Sequence, residues 1–504
     1  MHWHRNLRHG DLQTTFDSRI LQIACFLLFA LLARVSTFGD LNYFQDELFF
    51  FYTGQRMHDG LLLYVDIWDR KPPGLFALYY LIAGISRSVL AYQIAAWLFV
   101  AMTAQAINMI AERLAGRMGA MLAGALYISF LPLFGGGGGQ VAIFYNLLVA
   151  VAALLVVGQA WRLRDGVVGL PIALAMACAG LAITFKQTAL FEGAFLGCFV
   201  LWHYGRAGAD YRRIAMMAFG LALIGAAPML CFAAYYAAIG HFSEFWHAMV
   251  LANLHKAYNP GNDLLLRLGV FALMLAPCLF FVAASFVRAR ENPEFHALRY
   301  FMAGWLAAAF LGFGIVPNLI DHYALPLLVP LSVASAPFLQ RRGIGTICGI
   351  GLIGFNLMSG HAFDFSARAR SRAAMNSLTE EIRKRDPHPR LLVYDGPVYL
   401  YALTGSHPPS ALVLPLHLDY LPEADVSQLN TRMEFRKILD WKPTIVVMRR
   451  SVGENLINPA TKSLIEDYVR QNCRWTFSHP VYDMFGQSIL DIHGGCANRR
   501  QGGE

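Results

Sequence analysis

Long apolar runs alternate with short polar breaks along the first two thirds of the chain, and the runs have the length of membrane-crossing helices. A helix rises 1.5 Å per residue and the hydrocarbon core is about 30 Å thick, so a span needs roughly 20 apolar residues. Such runs fall at roughly 18–38, 89–111, 117–134, 141–162, 167–184, 187–204, 213–239, 268–288, 298–316, 323–339 and 344–361. Another run, 73–86 (PPGLFALYYLIAGI), is short for a span. Beyond 361 the pattern changes. LLVYDG (391–396), TIVVMRR (444–450) and QSILDIH (487–493) read as short buried or half-buried strands, and 366–385 and 461–472 have helical character. The expected fold is an all-α polytopic membrane domain over 1–361, followed by a small α/β domain over 362–504.

Arginine placement decides how the ambiguous run is treated. Clusters occur at Arg5/Arg8/Arg19, Arg113/Arg117, Arg162/Arg164, Arg206/Arg212/Arg213, Arg288/Arg290/Arg299 and Arg341/Arg342. If 73–86 does not cross, all of them face the cytoplasm, as the positive-inside bias requires. If it crosses, every later cluster moves outside. The run is therefore read as a helix lying in the interface, with about eleven spans, a cytoplasmic N-terminus and a tail on the outer side. Outside also lie the first loop (39–88), the glycine run Gly135–Gly139 with Gln140, the junction Lys186–Gln187, the stretch 240–267 and the turn leading to Tyr323. The polar groups able to do chemistry gather on that one face.

Composition agrees with this. Of 504 residues 56% are hydrophobic and 15% charged, against about 25% charged in soluble domains. The net charge of +8 resides largely in topology-setting arginines and implies no nucleic-acid partner. The basic N-terminus has no small-residue cleavage site after the first apolar run, which is read as an uncleaved span. Six cysteines lie in apolar runs, whereas Cys473 and Cys496 lie in the tail and can pair in an oxidising compartment. The tail contains no GxGxxG, Walker A or HExxH pattern. His241, His247 and His255 are six and eight residues apart, unlike a helical metal pair, so neither metal nor cofactor is expected. The glycine run lacks the Lys-Ser/Thr of a phosphate loop and is read as a flexible connection.

The first outer loop, YFQDELFFFYTGQRMHDGLLLYVDIWDRKPPG (43–74), is the most chemically loaded segment. Asp46 and Glu47 follow the first span and open an aromatic-rich amphipathic stretch. Asp69, Arg70 and Lys71 precede two prolines, which cannot continue a helix but can start one. A carboxylate able to take a proton and cations able to hold a phosphate thus share one loop at membrane level. Transfer of a group from a lipid phosphate to a hydroxyl needs that pairing. Lys186, beside Gln187 at the outer end of a span, either snorkels to the headgroups or serves the site. Glu192 can pair with it or line a cavity. His322 and Tyr323 begin a span at the outer face and can hydrogen-bond phosphate or sugar hydroxyls, or merely anchor the helix.

The Asp-Glu after the first span, followed by W-D-R-K-P-P-G, resembles the bacterial relatives of protein O-mannosyltransferases (family 39) and lipid A aminoarabinose transferases (family 83), both GT-C glycosyltransferases. TFKQTALF (184–191) and DHYALPLLVPL (321–331) resemble the same group. The resemblance covers the membrane domain to about residue 340 and implies a GT-C fold. It also implies an inverting transfer from a polyprenyl-phosphate sugar to an acceptor hydroxyl, on the face away from the cytoplasm of a bacterial inner membrane. Asp46 matches the aspartate that activates the acceptor, and Lys71 the lysine that contacts the donor phosphate. Arg70, Lys186, His322 and Tyr323 would join Lys71 on the donor, while Glu47, Asp69 and Gln187 are possible substrate contacts. The chain departs from the aminoarabinose transferases at Arg70, where they carry an acid. The acceptor, whether glycan, lipid or protein, is left open. A lipid or polysaccharide-precursor flippase is the alternative, and a non-catalytic envelope scaffold a third reading.

Overall fold

The computed structural model describes residues 9–255, 264–316, 318–450 and 456–496. The first residues of the expected cytoplasmic segment, and 256–263 within the expected outer stretch, lie outside the described residues. The helical part comprises α1 (His9–Arg34), α2 (Gln45–His58), α3 (Pro73–Ile85), α4 (Val89–Ala111), α5 (Arg117–Phe130), α6 (Val141–Gly158), α7 (Leu170–Ile183), α8 (Leu190–Arg206), α9 (Tyr211–Ala238), α10 (Leu264–Val287), α11 (Pro293–Gly314), α12 (Leu328–Leu339) and α13 (Ile344–Ser359). Every expected span is helical. Among the described residues, eight helical segments are long and apolar enough to cross a membrane. The spans at α7, α8 and α13 are shorter, with 14, 17 and 16 residues. Large apolar side chains such as Phe219, Leu223 and Leu230 of α9 are bare, as suits a surface solvated by lipid tails.

Helix α3 does not cross. Just before its N-terminus, Arg70 forms an ion pair with Glu423 of the tail. Just past its C-terminus, the Arg87 carbonyl accepts hydrogen bonds from Gln55 (3.0 Å) and from Tyr399 of the tail (3.4 Å). Both ends are therefore on the tail's side. The helix folds back on α2, so closely that a Cβ on Gly54 would fall 2.6 Å from the Tyr79 carbonyl carbon.

The tail contains α14 (Phe365–Arg385), β1 (Leu391–Val393), α15 (Leu416–Asp419), α16 (Thr431–Asp440), β2 (Ile445–Arg449), α17 (Pro459–Asn472), β3 (Trp475–Asp483) and β4 (Gly486–Gly494). The sheet order is β1-β2-β4-β3, with β1 and β2 parallel and the other pairs antiparallel. Strands β1 and β2 are continuously apolar at their centre because both sheet faces are covered there. Leu391, Val393, Ile445 and Val447 join the main core, while Leu392 and Val446 pack with Phe435, Ile438 and Ile465. Strand β3 was not anticipated: in WTFSHPVYD only Val481 is fully buried, so it carries little apolar signal. A disulfide joins Cys473 and Cys496, the pairing their positions allowed.

The tail sits directly on the first outer loop. Backbone N–H groups of Trp68 and Met484 donate to the carbonyls of Ala411 (2.9 Å) and Tyr43 (3.0 Å). Buried Asp40 accepts from Ser371 at 2.7 Å and pairs with Arg368 at 3.4 Å.

Candidate active site

Asp46 and Glu47 stand in the first turn of α2, where carboxylates complement the helix dipole. Neighbours on a helix diverge by about 100°, and the two acids accordingly part ways. Asp46 faces an open cavity, while Glu47 turns inward and is fully buried. Glu47 accepts a hydrogen bond from the Tyr92 hydroxyl at 3.1 Å. Burial pushes its carboxyl up to about 8, against the lowering effects of Tyr92 and Arg34. It is buried and lies off the cavity wall that the other expected site residues line.

The loop to α3 places Lys71 through local bonds. Asp69, 2% exposed, accepts from the Lys71 backbone N–H at 2.7 Å and lies 3.7 Å from its ammonium. The Tyr64 hydroxyl donates to the Lys71 carbonyl at 2.8 Å, and Pro73 begins the helix. Lys71 is thereby fixed from both backbone and side chain. Its Nζ stands 3.6 Å from Asp46 and 4.7 Å from the centre of the Phe50 ring. Burial pushes the Asp46 carboxyl up, but Lys71, His322 and Arg70 together outweigh this and hold it below its ordinary value. Burial likewise opposes the charge on Lys71, yet Asp46 and Asp69 keep its pKa above the usual lysine range.

Arg70 reaches away from this cluster to form an ion pair with Glu423 of the tail. Lys186 lies over the Tyr323 ring at 4.0 Å, and His322 meets the edge of Phe44 at 5.6 Å. Gln187 donates to the Met249 carbonyl at 2.7 Å and accepts from Asn253 at 3.3 Å, so it fastens the 247–255 segment to the cavity rim.

These groups surround one cavity of about 960 Å³ between the membrane helices and the tail, large enough for a sugar and a phosphate. Eight of the nine sequence-derived site residues line it: Asp46, Asp69, Arg70, Lys71, Lys186, Gln187, His322 and Tyr323. The tail adds Asp395, His417, Asp419, Glu423 and Arg449, none of which stood out in the sequence. They are scattered polar residues in a domain without a motif, and only its docking brings them to the cavity.

The glycine run corrects the expectation of a flexible connection. Gly135–Gly139 are all buried, and the carbonyls of Gly136–Gly139 are occupied. Arg34 donates to Gly136 and Gly138 at 2.5 Å each, Thr37 to Gly137 at 3.1 Å, and Tyr79 to Gly139 at 2.6 Å. A Cβ on Gly138 would fall 2.0 Å from Glu47. The run is a close-packed brace for α2, and glycine is needed for proximity rather than flexibility.

The site holds a carboxylate ion-paired with an ammonium, with further cationic and hydroxyl groups around one open cavity. That set can orient a hydroxyl nucleophile and neutralise a phosphate. No family model matches the chain, and no curated protein matches it in sequence. Its likeness to solved structures is one of fold. The crystal structure of ArnT from Cupriavidus metallidurans bound to undecaprenyl phosphate matches with a TM-score of 0.59 at 14% identity, covering 94% of this chain and 97% of its own. The apo state of the same protein gives 0.59 at 13% identity over 95% and 98%. The expected architecture, a helical membrane domain followed by a small α/β tail, is therefore the fold of this chain, and it is shared with ArnT.

Proposed function

We propose that the protein is a membrane glycosyltransferase that moves a sugar from a polyprenyl-phosphate donor to an acceptor hydroxyl, with inversion. The observation that carries this reading is the Asp46–Lys71 pair, 3.6 Å apart, in a cavity that also collects Arg70, Lys186, His322 and Tyr323. The match in fold to ArnT bound to undecaprenyl phosphate supports a lipid-phosphate donor. Asp46 accepts the proton of the acceptor hydroxyl as its oxygen bonds to the anomeric carbon. The bond from that carbon to the phosphate oxygen breaks, and its electron pair leaves with the phosphate, neutralised by Lys71 and Lys186. His322 and Tyr323 donate hydrogen bonds to phosphate or sugar.

One physical consequence concerns timing. Asp46 is a weak base while Lys71 sits beside it. A donor phosphate competes for that ammonium, so donor binding raises the basicity of Asp46 just before it is needed. The same competition restrains wasteful proton abstraction in the empty enzyme.

In this reading residues 1–361 form the catalytic domain, and 362–504 roof it on the outer face of a bacterial inner membrane, with the N-terminus cytoplasmic. The test is to incubate purified protein with a panel of polyprenyl-phosphate sugars and detect release of polyprenyl phosphate with candidate glycan, lipid and protein acceptors. Consumption of one donor is expected. Failure to consume any, by protein that binds and transports lipid, would transfer the assignment to the flippase reading.

A further inference from the structure

Short helix α15 and the residues after it form part of the tail's contribution to the cavity, and two buried groups there are left unsatisfied. Asp419 is 9% exposed, and its Oδ1 meets no hydrogen-bond donor. His417 is 3% exposed, and its Nδ1 is equally without a partner. Both line the cavity. An unpaired buried polar atom costs stability, so two on one short element facing one space mark a surface shaped for something that enters it.

The surroundings specify the chemistry. Asp395, beside Asp419, pairs with Arg449 at 3.4 Å, and Asp483 also lines this part of the wall. Burial and the neighbouring Asp395 push the Asp419 carboxyl above its ordinary value. Burial pushes His417 down to about 4, against the pull of Asp69 and Glu423, so its imidazole is neutral and can donate or accept. Acids thus outnumber cations on the roof, whereas the floor carries Lys71 and Lys186. A phosphate is repelled by the first and attracted by the second. Groups that both donate and accept, without charge, suit the roof: these are hydroxyls. The distance to the reacting centre is short in chain terms, because Gln45, next to Asp46, donates to the carbonyl of Gly396 at 3.0 Å, next to Asp395.

We propose that His417 and Asp419, flanked by Asp395, form a subsite for an uncharged polyhydroxylated ring, so that the tail reads the sugar while the membrane loops hold the phosphate. This rests on the transferase reading above. The ring is either the donor's own sugar or the glycan acceptor, and the test separates them.

Full-length protein in lipid nanodiscs is titrated with undecaprenyl phosphate, with undecaprenyl-phosphate glucose and mannose, and with maltotriose as a lipid-free glycan. For Asp419→Asn and His417→Phe, bare undecaprenyl phosphate should bind within about twofold of wild type. The extra affinity contributed by a sugar should fall about tenfold, the usual effect of losing a hydrogen bond to a buried charged or polar group. Loss confined to the hexosyl lipids assigns the subsite to the donor, and loss confined to maltotriose assigns it to the acceptor. Unchanged affinity for both sugar classes overturns the subsite. The thermal midpoint is the second readout: Asp419→Asn, which keeps the size of the side chain, should be no less stable than wild type, since it breaks no internal bond of the unpaired atom. A marked drop would show a structural role and overturn the proposal. Wild type that binds no undecaprenyl phosphate defeats the donor reading itself, and this inference with it.

Discussion

Asp46 and Glu47 are adjacent in sequence and opposite in use, and the difference is measurable. Asp46→Asn keeps size and polarity but cannot take a proton. It should lower turnover by about 10²–10⁴-fold while the thermal midpoint stays near wild type and donor affinity is kept or rises, since Lys71 loses its competing carboxylate, and normal turnover would remove Asp46 from the mechanism. Lys71→Ala should weaken undecaprenyl phosphate binding as well as turnover, and unchanged binding would exclude its phosphate role. Glu47 predicts a pH effect on stability instead. Its folded pKa is raised to about 8 by burial, so between its ordinary value and about 8 the unfolded chain has lost a proton that the native state keeps. Stability from this group is therefore fully present at low pH, falls as pH rises through that window, and levels off above it. Glu47→Gln should flatten the decline, seen as a smaller difference between melting temperatures at pH 6 and pH 9. An identical pH slope in the variant would refute the buried-acid account. The two acids were legible in the sequence as a pair, but their divergence depends on which face of α2 the glycine run covers.

Among elements, α2 is the one the site depends on, because it is held on two sides by contacts that tolerate no side chain. The Gly135–Gly139 brace lies under it and α3 lies along it. Gly138→Ala would bring a Cβ to 2.0 Å from a Glu47 oxygen, and Gly54→Ala would meet the Tyr79 backbone at 2.6 Å. Overpacking of this kind costs about 1–3 kcal/mol. Both should lower the thermal midpoint, and Gly138→Ala should also lower turnover by displacing the start of α2. A Gly138→Ala enzyme with wild-type stability and rate would mean that the brace yields freely. The return of α3 to the tail's side agrees with the arginine parity, which is a one-dimensional signal. The glycine run was misread because sequence shows that glycine permits motion, not that a neighbour has come close enough to require it.

At the scale of the molecule, tail and first loop share a face, which fixes an even number of crossings between them. The proposed orientation then predicts accessibility. In intact cells a membrane-impermeant thiol reagent should label Ser463→Cys, exposed in the tail on α17, and not Ala207→Cys, exposed in the turn between α8 and α9. The reverse pattern would invert the protein. Docking of the tail also explains why its share of the cavity wall was invisible beforehand. Asp395, His417, Asp419, Glu423 and Arg449 lie far along the chain from Asp46, in segments that carry only the pattern of a small α/β core.

The sequence alone determined the helical spans and the Asp46–Lys71 loop. Both are encoded locally, by run length against bilayer thickness and by prolines that start a helix at a set position. Tertiary structure decided which acid faces the cavity, that Arg70 is claimed by Glu423, and that the glycines brace rather than flex. It also brought the tail's polar groups over the loop. Those outcomes depend on contacts between residues a hundred to several hundred positions apart, whose energies arise only when the helices and the tail have packed.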